Sequence, residues 1–171
     1  LYEQGRPCAP GVVGRLAVKG PTGCRYLADS RQSQYVQHGW NITGDAFSMD
    51  ADGYFYYAAR TDDMIISAGY NIGGPEVESA LLTHEAVAEC GVIGAADDER
   101  GQVVKAFVVA NCPGSDELTR ELQDFTRERL AQHEFPRIVE YVSELPKNPA
   151  GKVHPKMLRD QEAAKAAAAT N

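Results

Sequence analysis

Long apolar runs and an excess of basic residues are both missing from this sequence. No run approaches the roughly 20 apolar residues that a membrane-spanning helix needs, and the first residues do not resemble a secretory signal. Lys and Arg number 17 against 24 Asp and Glu, a formal net charge of −7. Nucleic acids and anionic membranes attract basic faces, so this charge argues against nonspecific binding to either. We expect a soluble cytoplasmic protein with no nucleic-acid or membrane partner.

Paired metal ligands are also missing. The four histidines lie far from one another and from the cysteines, so the sequence predicts no metal site. None of the cysteines belongs to a CxxC pair, and a chain of 171 residues with 43% apolar residues needs no disulfides to build a core. We therefore predict four reduced thiols, at Cys8, Cys24, Cys90 and Cys112.

The first third of the chain has the patterns of a β-rich region. Residues 12–19 end in the alternation of a half-buried strand, and Asp29 precedes a short helical stretch over residues 29–36. A strand at residues 40–47, an Asp- and Gly-rich turn at 50–53 and an aromatic strand at 54–58 follow. After residues 60–63 the pattern changes to a short apolar run and a glycine-punctuated loop at residues 68–74, and this change predicts a domain boundary.

Helices and strands mix in the remainder. Pro75 suits the first turn of a helix that ends near His84, and Ser115 caps a helix that continues to about Gln132. Residues 87–93 and 103–110 are predicted to form a hairpin, residues 138–142 a last strand, 145–153 an extended loop and 162–171 a fraying helix. The fold class that follows is α+β, with a small sheet covered by helices.

Three side chains have candidate chemistry, and each also has an ordinary interpretation. Asp45 follows Gly44 at a strand end, where its oxygens could accept from two ribose hydroxyls or could cap a turn. Arg60 could hold a ribose hydroxyl or a phosphate, or could pair with Asp62 or Asp63 on the surface.

Lys152 lies in a loop near the chain end, where its ammonium could neutralise charge developing on a phosphate oxygen. The other interpretation is a solvated lysine. A P-loop is rejected, because the glycine spacing before Lys152 and the Ser or Thr after it are missing.

Taken in order, three motifs resemble those of the adenylate-forming superfamily, which contains acyl-CoA synthetases, luciferases and peptide-synthetase adenylation domains. WNITGD at residues 40–45 resembles the aromatic-x-x-Thr-Gly-Asp motif, and ARTDDMI at 59–65 with GYNI at 69–72 and PEVE at 75–78 resembles the hinge motif. LPKNPAGKV at 145–153 resembles the closing motif with its catalytic lysine. Residues 20–26 (GPTGCRY) and 68–72 (AGYNI) look most like 2-aminobenzoate-CoA ligase and its benzoate and medium-chain relatives.

The resemblance implies an ATP-dependent acid–thiol ligase that activates a carboxylate as acyl-AMP and transfers the acyl group to CoA. It implies that Asp45 and Arg60 bind the ATP ribose, that Asp62 is the hinge, and that Lys152 is the adenylation lysine, also contacting ATP. It implies ATP, Mg²⁺ and CoA as cofactors, with an aromatic acid such as (2-amino)benzoate as substrate. The residues it implies at CoA are Ala68, Gly69, Tyr70, Arg100, His133, Glu134 and Phe135.

Two single positions and one three-residue segment depart from the pattern. Asn71 stands where relatives usually carry an arginine, and Glu134 stands where a basic residue is common. A carboxylate beside CoA phosphates would repel them. Residues 148–150 are Asn-Pro-Ala where Thr-x-Thr is usual, a change expected to alter loop stiffness.

The superfamily's Ser/Thr/Gly-rich phosphate loop and its Tyr-Gly-x-Thr-Glu segment, whose glutamate holds magnesium, do not occur in the sequence. We therefore expect an inactive part of a longer chain, with residues 1–61 ending the large adenylation domain and 62–171 forming the mobile domain. The remainder of the same polypeptide would then be its partner. The alternative is a stand-alone docking module without catalysis, which would have no need of the Lys152 loop.

Overall fold

The computed structural model describes residues 6–20, 28, 30 and 32–169. The chain divides into two compact units, Leu1–Asp62 and Asp63–Asn171. The predicted cap Asp29, the likeness at residues 21–26 and Cys24 lie outside the described residues.

The first unit is built on one long central strand. β3 pairs antiparallel with β1 along one edge and with β2 and β4 along the other. The helix ahead of β2 is a single turn, shorter than the stretch predicted from the sequence. The elements of this unit are β1 (Gly14–Val18), α1 (Gln32–Tyr35), β2 (Val36–Gln37), β3 (Trp40–Met49) and β4 (Phe55–Arg60).

Asp50 fixes the turn between β3 and β4. Its Oδ1 accepts hydrogen bonds from the backbone amides of Asp52 at 3.0 Å and Tyr54 at 2.9 Å, and the Tyr56 hydroxyl donates to its Oδ2 at 2.9 Å. The Tyr54 amide is the main cause of a lowered pKa of the Asp50 carboxyl. This network sets the register that brings the two far ends of the hairpin, Asp45 and Arg60, opposite each other.

The second unit is a five-stranded sheet with helices on both faces, and this confirms the predicted α+β class. β8 pairs antiparallel with β7 at one edge, while β5 and the parallel strand β9 share the other edge, with β6 outside β5. Its strands are β5 (Met64–Ser67), β6 (Tyr70–Gly73), β7 (Val87–Asp97), β8 (Gly101–Ala110) and β9 (Ile138–Tyr141).

One face of this sheet packs two helices. α2 (Gly74–Leu81) has its proline in the first turn as predicted, and the Ser115 hydroxyl oxygen that caps α3 (Asp116–Arg127) accepts from the Leu118 amide at 3.1 Å. Apolar side chains of both helices and of alternate strand residues form a single core. Its fully buried members include Ile72, Val77, Leu81, Val104, Ala106, Val108 and Leu122.

The opposite face packs a fourth helix, α4 (Pro155–Ala169). Leu158 is 1% exposed and joins a second core with Ile93, Phe107 and Leu145. Gly91 of β7 makes the close approach possible, because a Cβ there would lie 2.7 Å from the Leu158 Cδ1 atom. The helix is therefore part of the folded unit.

Three sequence predictions were wrong in this unit. The helix predicted over residues 162–171 begins at Pro155, because Leu158 packs on the sheet and holds the first turns. Residues 70–73, predicted as loop, form β6 because they pair with β5 across a two-residue turn. α3 ends at Arg127, before the predicted end at Gln132.

Two further observations concern membrane-spanning helices and the cysteines. Among the described residues, no helix is long and apolar enough to cross a membrane. Cys90 and Cys112 are free thiols, as predicted. Burial, and then the charge of Glu78, raises the pKa of the Cys90 thiol to about 12, so this buried group stays protonated near neutral pH.

Replacing Leu158 by Ala tests whether α4 belongs to the core. We expect a loss of about 2–5 kcal/mol in the free energy of unfolding, because the truncation leaves a cavity between helix and sheet. Met157→Ala is the matched control. Met157 neighbours Leu158 in the sequence but is 44% exposed, so its truncation should lower the free energy of unfolding much less than Leu158→Ala does. The measurement is urea unfolding of both variants, and equal midpoints would contradict the packing of α4.

Candidate functional site

Asp45 and Arg60, both predicted site residues, lie opposite each other on β3 and β4. The Arg60 Nε atom lies 3.4 Å from the Asp45 Oδ1 atom, and their side chains are 56% and 30% exposed. An ion pair this accessible adds little stability. Asp45 lies within β3 and not at a strand end as predicted, whereas Arg60 ends β4. The carboxylate and guanidinium remain accessible there and can hydrogen-bond a diol.

Gly44 gives the pair its room. Its φ of +83° is a conformation that L side chains rarely adopt, and a Cβ there would lie 3.3 Å from the Arg60 Nη2 atom. The preceding Thr43 hydroxyl donates to the Leu16 carbonyl at 3.2 Å, and its oxygen accepts from the Asp45 amide at 3.3 Å. Thr43 and Gly44 together orient the part of β3 that presents Asp45.

The predicted hinge residue Asp62 is the middle residue of a short 3-10 helix, Thr61–Asp63, and its side chain is exposed. The boundary between the two compact units falls directly after it. Asp63, the first residue of the second unit, accepts a hydrogen bond from Arg159 of α4 at 2.5 Å. The chain is thus anchored to the second unit immediately beyond Asp62.

Lys152 lies in the predicted loop, which folds back on itself as a tight hairpin closed by one isolated bridge. Lys147 and Val153 pair across the hairpin, and the Asn148 amide donates to the Lys152 carbonyl at 2.8 Å. The Asn148 side-chain oxygen accepts from the amides of Ala150 at 2.9 Å and Lys152 at 3.1 Å. The Lys152 side chain is exposed, so its ammonium is accessible to a ligand while these hydrogen bonds hold the backbone in place.

The residues predicted to meet CoA fall into contacting groups. Ala68 and Gly69 form the two-residue turn between β5 and β6 with φ of +49° and +86°, and the Ala68 amide donates to the Arg100 carbonyl at 3.0 Å. Tyr70 stacks on His133, with ring centroids 4.1 Å apart and planes 20° apart. The structure therefore joins Ala68 to Arg100, and Tyr70 to His133.

Glu134 and Phe135, also predicted to meet CoA, make contacts with other residues of the second unit. The Glu134 carboxylate accepts from the Ala131 amide at 2.9 Å, and its charge adds to burial in raising the pKa of Glu76. The Phe135 ring is only 8% exposed and lies between the guanidinium groups of Arg127 and Arg137, at 4.0 and 5.0 Å. Its ring offers little surface to a ligand.

Burial and charge fix the helix that follows the Lys152 hairpin. Lys105 of β8 is 6% exposed and pairs with Glu162 of α4 at 2.6 Å and with Glu140 of β9 at 2.9 Å. Burial alone would lower the pKa of Lys105, but hydrogen bonds to Glu162 and Glu140 outweigh it and raise that pKa. The lysine stays charged and ties α4 to the sheet.

Several of these residues escaped the sequence analysis. At Asn148 the sequence predicted only a change in loop stiffness, although an Asn before Pro is a recognisable turn signal. The pairs Lys105–Glu162 and Arg159–Asp63 join residues 57 and 96 positions apart, and no local pattern reveals such partners. As for metals, no group of three or more His, Cys, Asp or Glu in the described part of the chain could hold an ion.

Comparison with known proteins places these features in a family context. Residues 76–152 match the family model of the AMP-binding enzyme C-terminal domain. The human acyl-coenzyme A synthetase ACSM4, mitochondrial, is 43% identical over 95% of this chain and 30% of its own length. An uncharacterized acyl-CoA ligase, YtcI, of Bacillus subtilis is 40% identical over 95% of this chain and 32% of its own.

Solved structures of a CoA ligase and a CoA synthetase are also similar to this chain. The anthranilate CoA ligase AuaEII in complex with anthranoyl-AMP superposes with a TM-score of 0.82 at 35% identity, over 98% of this chain and 33% of that one. The o-succinylbenzoate CoA synthetase of Bacillus subtilis, in complex with its acyl-adenylate intermediate, gives 0.79 at 38% identity, over 92% and 32%. The chain thus spans roughly a third of the length of the proteins it matches.

Asn148→Ala tests what holds the Lys152 hairpin. Loss of two hydrogen bonds should speed amide exchange at Ala150 and Lys152 by about 5-fold, since exposed hydrogen bonds contribute about 1 kcal/mol. Asn148→Asp keeps the acceptor oxygen and should keep the protection. Hydrogen exchange followed by NMR measures both, and equal exchange in Asn148→Ala and the unchanged protein would contradict the assigned role of Asn148.

Proposed function

This chain belongs to the adenylate-forming acyl-CoA synthetase family, whose AMP-binding enzyme C-terminal domain it contains, and we propose that it serves an ATP-dependent acid–thiol ligase. The ligase activates a carboxylate as acyl-AMP and transfers the acyl group to CoA. The observation that carries the proposal is the exposed Lys152 on a hydrogen-bonded hairpin at the end of the matched family domain. The chain supplies the mobile part, and the remainder of the same polypeptide supplies the carboxylate pocket.

In the first half-reaction, a carboxylate oxygen of the substrate attacks the α-phosphorus of ATP and pyrophosphate leaves. Lys152 stabilises negative charge that develops on the phosphate oxygens, and it can do so because its ammonium projects from an anchored turn. Asp45 accepts from the ribose hydroxyls, and Arg60 donates to the same sugar. Magnesium, when bound, would neutralise charge on the phosphates, and we assign its protein ligands to the remainder of the polypeptide.

In the second half-reaction, the CoA sulfur attacks the acyl carbon and AMP leaves. The turn at Ala68 and Gly69 has no bulky side chain, which lets the CoA arm approach the backbone. Arg100 faces a CoA phosphate, and the stacked Tyr70 and His133 rings offer a flat surface beside it. His133, Glu134 and Phe135 form the outer wall of this CoA site, with Phe135 contributing through its backbone position.

The two departures among the predicted CoA-binding segments, Asn71 and Glu134, need not repel CoA. Glu134 is occupied by the Ala131 amide, which directs its carboxylate into its own turn and reduces repulsion of a phosphate. Asn71, paired with Ile66 in the β5–β6 hairpin, supplies a neutral amide in place of a cation. CoA binding at this surface therefore depends chiefly on Arg100.

Asp62 is the proposed hinge between the two half-reactions, with residues 1–61 as the end of the large domain and 62–171 as the mobile domain. The boundary between compact units after Asp62 supports this division. Its neighbour Asp63 is tied to α4, so rotation about Asp62 would move β5, the Ala68–Gly69 turn and the Lys152 hairpin as one body.

For the acid, we propose an aromatic substrate such as (2-amino)benzoate. The similarity to an anthranilate CoA ligase supports an aromatic acid, whereas the equally similar ACSM proteins are named only as acyl-coenzyme A synthetases. The location proposed is the cytoplasm, as the composition indicated.

Lys152→Ala in the full-length protein should lower pyrophosphate release from ATP and the acid by about 100- to 1,000-fold, because the charge on the transferring phosphate loses its counter-ion. Thioesterification of supplied acyl-AMP should be nearly unchanged. Lys156→Ala, an exposed lysine on α4, is the control and should leave both rates intact. Equal loss of both half-reactions in Lys152→Ala would refute the assignment, and no pyrophosphate release with any acid would favour the docking module.

Asp62→Pro should lower overall turnover at least about 10-fold while one half-reaction persists, because proline fixes φ and freezes one pose. Asp62→Ala keeps the backbone free and should retain turnover. Both half-reactions and the complete reaction are measured with the full-length protein. Normal complete turnover in Asp62→Pro would place the hinge elsewhere.

A further inference from the structure

Arg159 makes a contact that the proposed function does not use. Its Nη1 atom donates to the Asp63 Oδ1 atom at 2.5 Å, with the two side chains 30% and 26% exposed. The partners are 96 positions apart in the sequence. One end of the contact lies at the proposed hinge, and the other lies on α4.

The position of Arg159 on α4 links it to the Lys152 hairpin. Its neighbour Leu158 packs into the same core as Leu145 and Val153, which flank the hairpin, and Val153 directly follows Lys152. The His154 carbonyl accepts from the amides of Met157 and Leu158, so the hairpin runs into α4 without a flexible linker. A shift of α4 would therefore move Lys152.

Asp63 lies among other acidic groups, and Arg159 offsets them. Burial is the main cause of the raised pKa of Glu78, and the nearby charge of Asp63 adds to it. Glu78 is itself anchored, because its Oε1 accepts from the Val92 amide at 2.9 Å. Without a cation, the carboxylates of Asp63, just before β5, and Glu78, on α2, would repel each other, and the short 3-10 helix would lose its tie to the unit.

The Ala68–Gly69 turn and Lys152 are connected to Asp63 in different ways. The turn follows β5, which continues directly from Asp63 and is paired with β6. Lys152 lies far along the chain and reaches Asp63 through α4 and Arg159. Leu158 and the Lys105–Glu162 pair also hold α4 on the sheet, and the Arg159–Asp63 pair adds the direct contact between α4 and the hinge end of the unit. The turn, by contrast, is positioned by the strand.

We propose that Arg159 is a positioning residue for the adenylation half-reaction: its ion pair with Asp63 ties the hinge end of the mobile domain to the helix behind Lys152. This inference rests on the proposed function. Removal of the tie lets α4 and the hairpin shift relative to the hinge, while Leu158 keeps the domain folded. The adenylation rate then falls more than the thioesterification rate does.

The test uses Arg159→Gln and Asp63→Asn in the full-length protein. Each removes the charge and keeps a polar side chain, and Asn has the same length as Asp. Pyrophosphate release with saturating ATP and acid should fall about 10-fold in each, since misplacing a catalytic group by about 1 Å can cost up to about 100-fold. The rate with supplied acyl-AMP and CoA should fall less than about 3-fold. The double variant should be no slower than the single ones, because both remove one interaction.

Lys156→Gln is the matched control. It removes a cation from the same helix, where Lys156 pairs with Asp160 at 3.2 Å in an exposed i,i+4 contact, and both half-reactions should be unchanged. The reversed pair, Arg159→Asp with Asp63→Arg, should restore at least part of the adenylation rate. If Arg159 had a purely structural role, Arg159→Gln would lower the rates of both half-reactions in proportion to the fraction of folded protein. The reversed pair would then change both rates together.

Equal effects on the two half-reactions, or no effect of Arg159→Gln on either, would overturn the inference. Lys152→Ala measured in parallel separates the two levels of the proposal. If Lys152→Ala abolishes adenylation and Arg159→Gln does not change it, only the positioning role fails. If Lys152→Ala leaves adenylation intact, the proposed function fails first.

Discussion

The hairpin of β7 and β8 is the constraint on which the second unit depends. Its ten paired positions run from Val87 opposite Ala110 to Asp97 opposite Gly101, and alternate side chains point to opposite faces. One face packs α2 and α3, and the other packs α4. The helix behind Lys152 therefore gains its place from the same strands that carry the main core, with Gly91 leaving the space for Leu158.

Ion pairs then fix the position of α4 in the directions that apolar packing leaves variable. Leu158 sets the depth of α4 on the sheet, whereas Lys105 with Glu162, and Arg159 with Asp63, fix its position along the sheet and against the start of β5. The Lys105 pair is the more buried of the two, and Lys105 has a second counter-ion in Glu140 at 2.9 Å. The Arg159 pair is partly exposed, which suits a contact that positions more than it stabilises.

Local patterns predicted the class of fold and the main elements, because hairpins, capped helices and apolar alternation leave a signature within a few residues. Ser115 as the cap of α3 and Pro75 in the first turn of α2 are examples. β6 was missed because a glycine-rich segment suggests a loop, while its pairing with β5 is a tertiary fact. The start of α4 was missed because its anchor, Leu158, is recognisable only once Gly91 lies beneath it.

The candidate site divides in the same way. Asp45, Arg60, Lys152 and the Ala68–Gly69 turn follow from motifs, whereas Arg159 and the stacking of Tyr70 on His133 follow only from the fold. The most direct test of the central claim, a mobile domain that alternates about Asp62, is a spin-label distance in the full-length protein. Labels at Asp52→Cys and Lys156→Cys, with reactive native cysteines changed to Ser, report on one unit each. Alternation predicts different distances with ATP alone and with an acyl-AMP analogue plus CoA, and one unchanged distance in both states would contradict it.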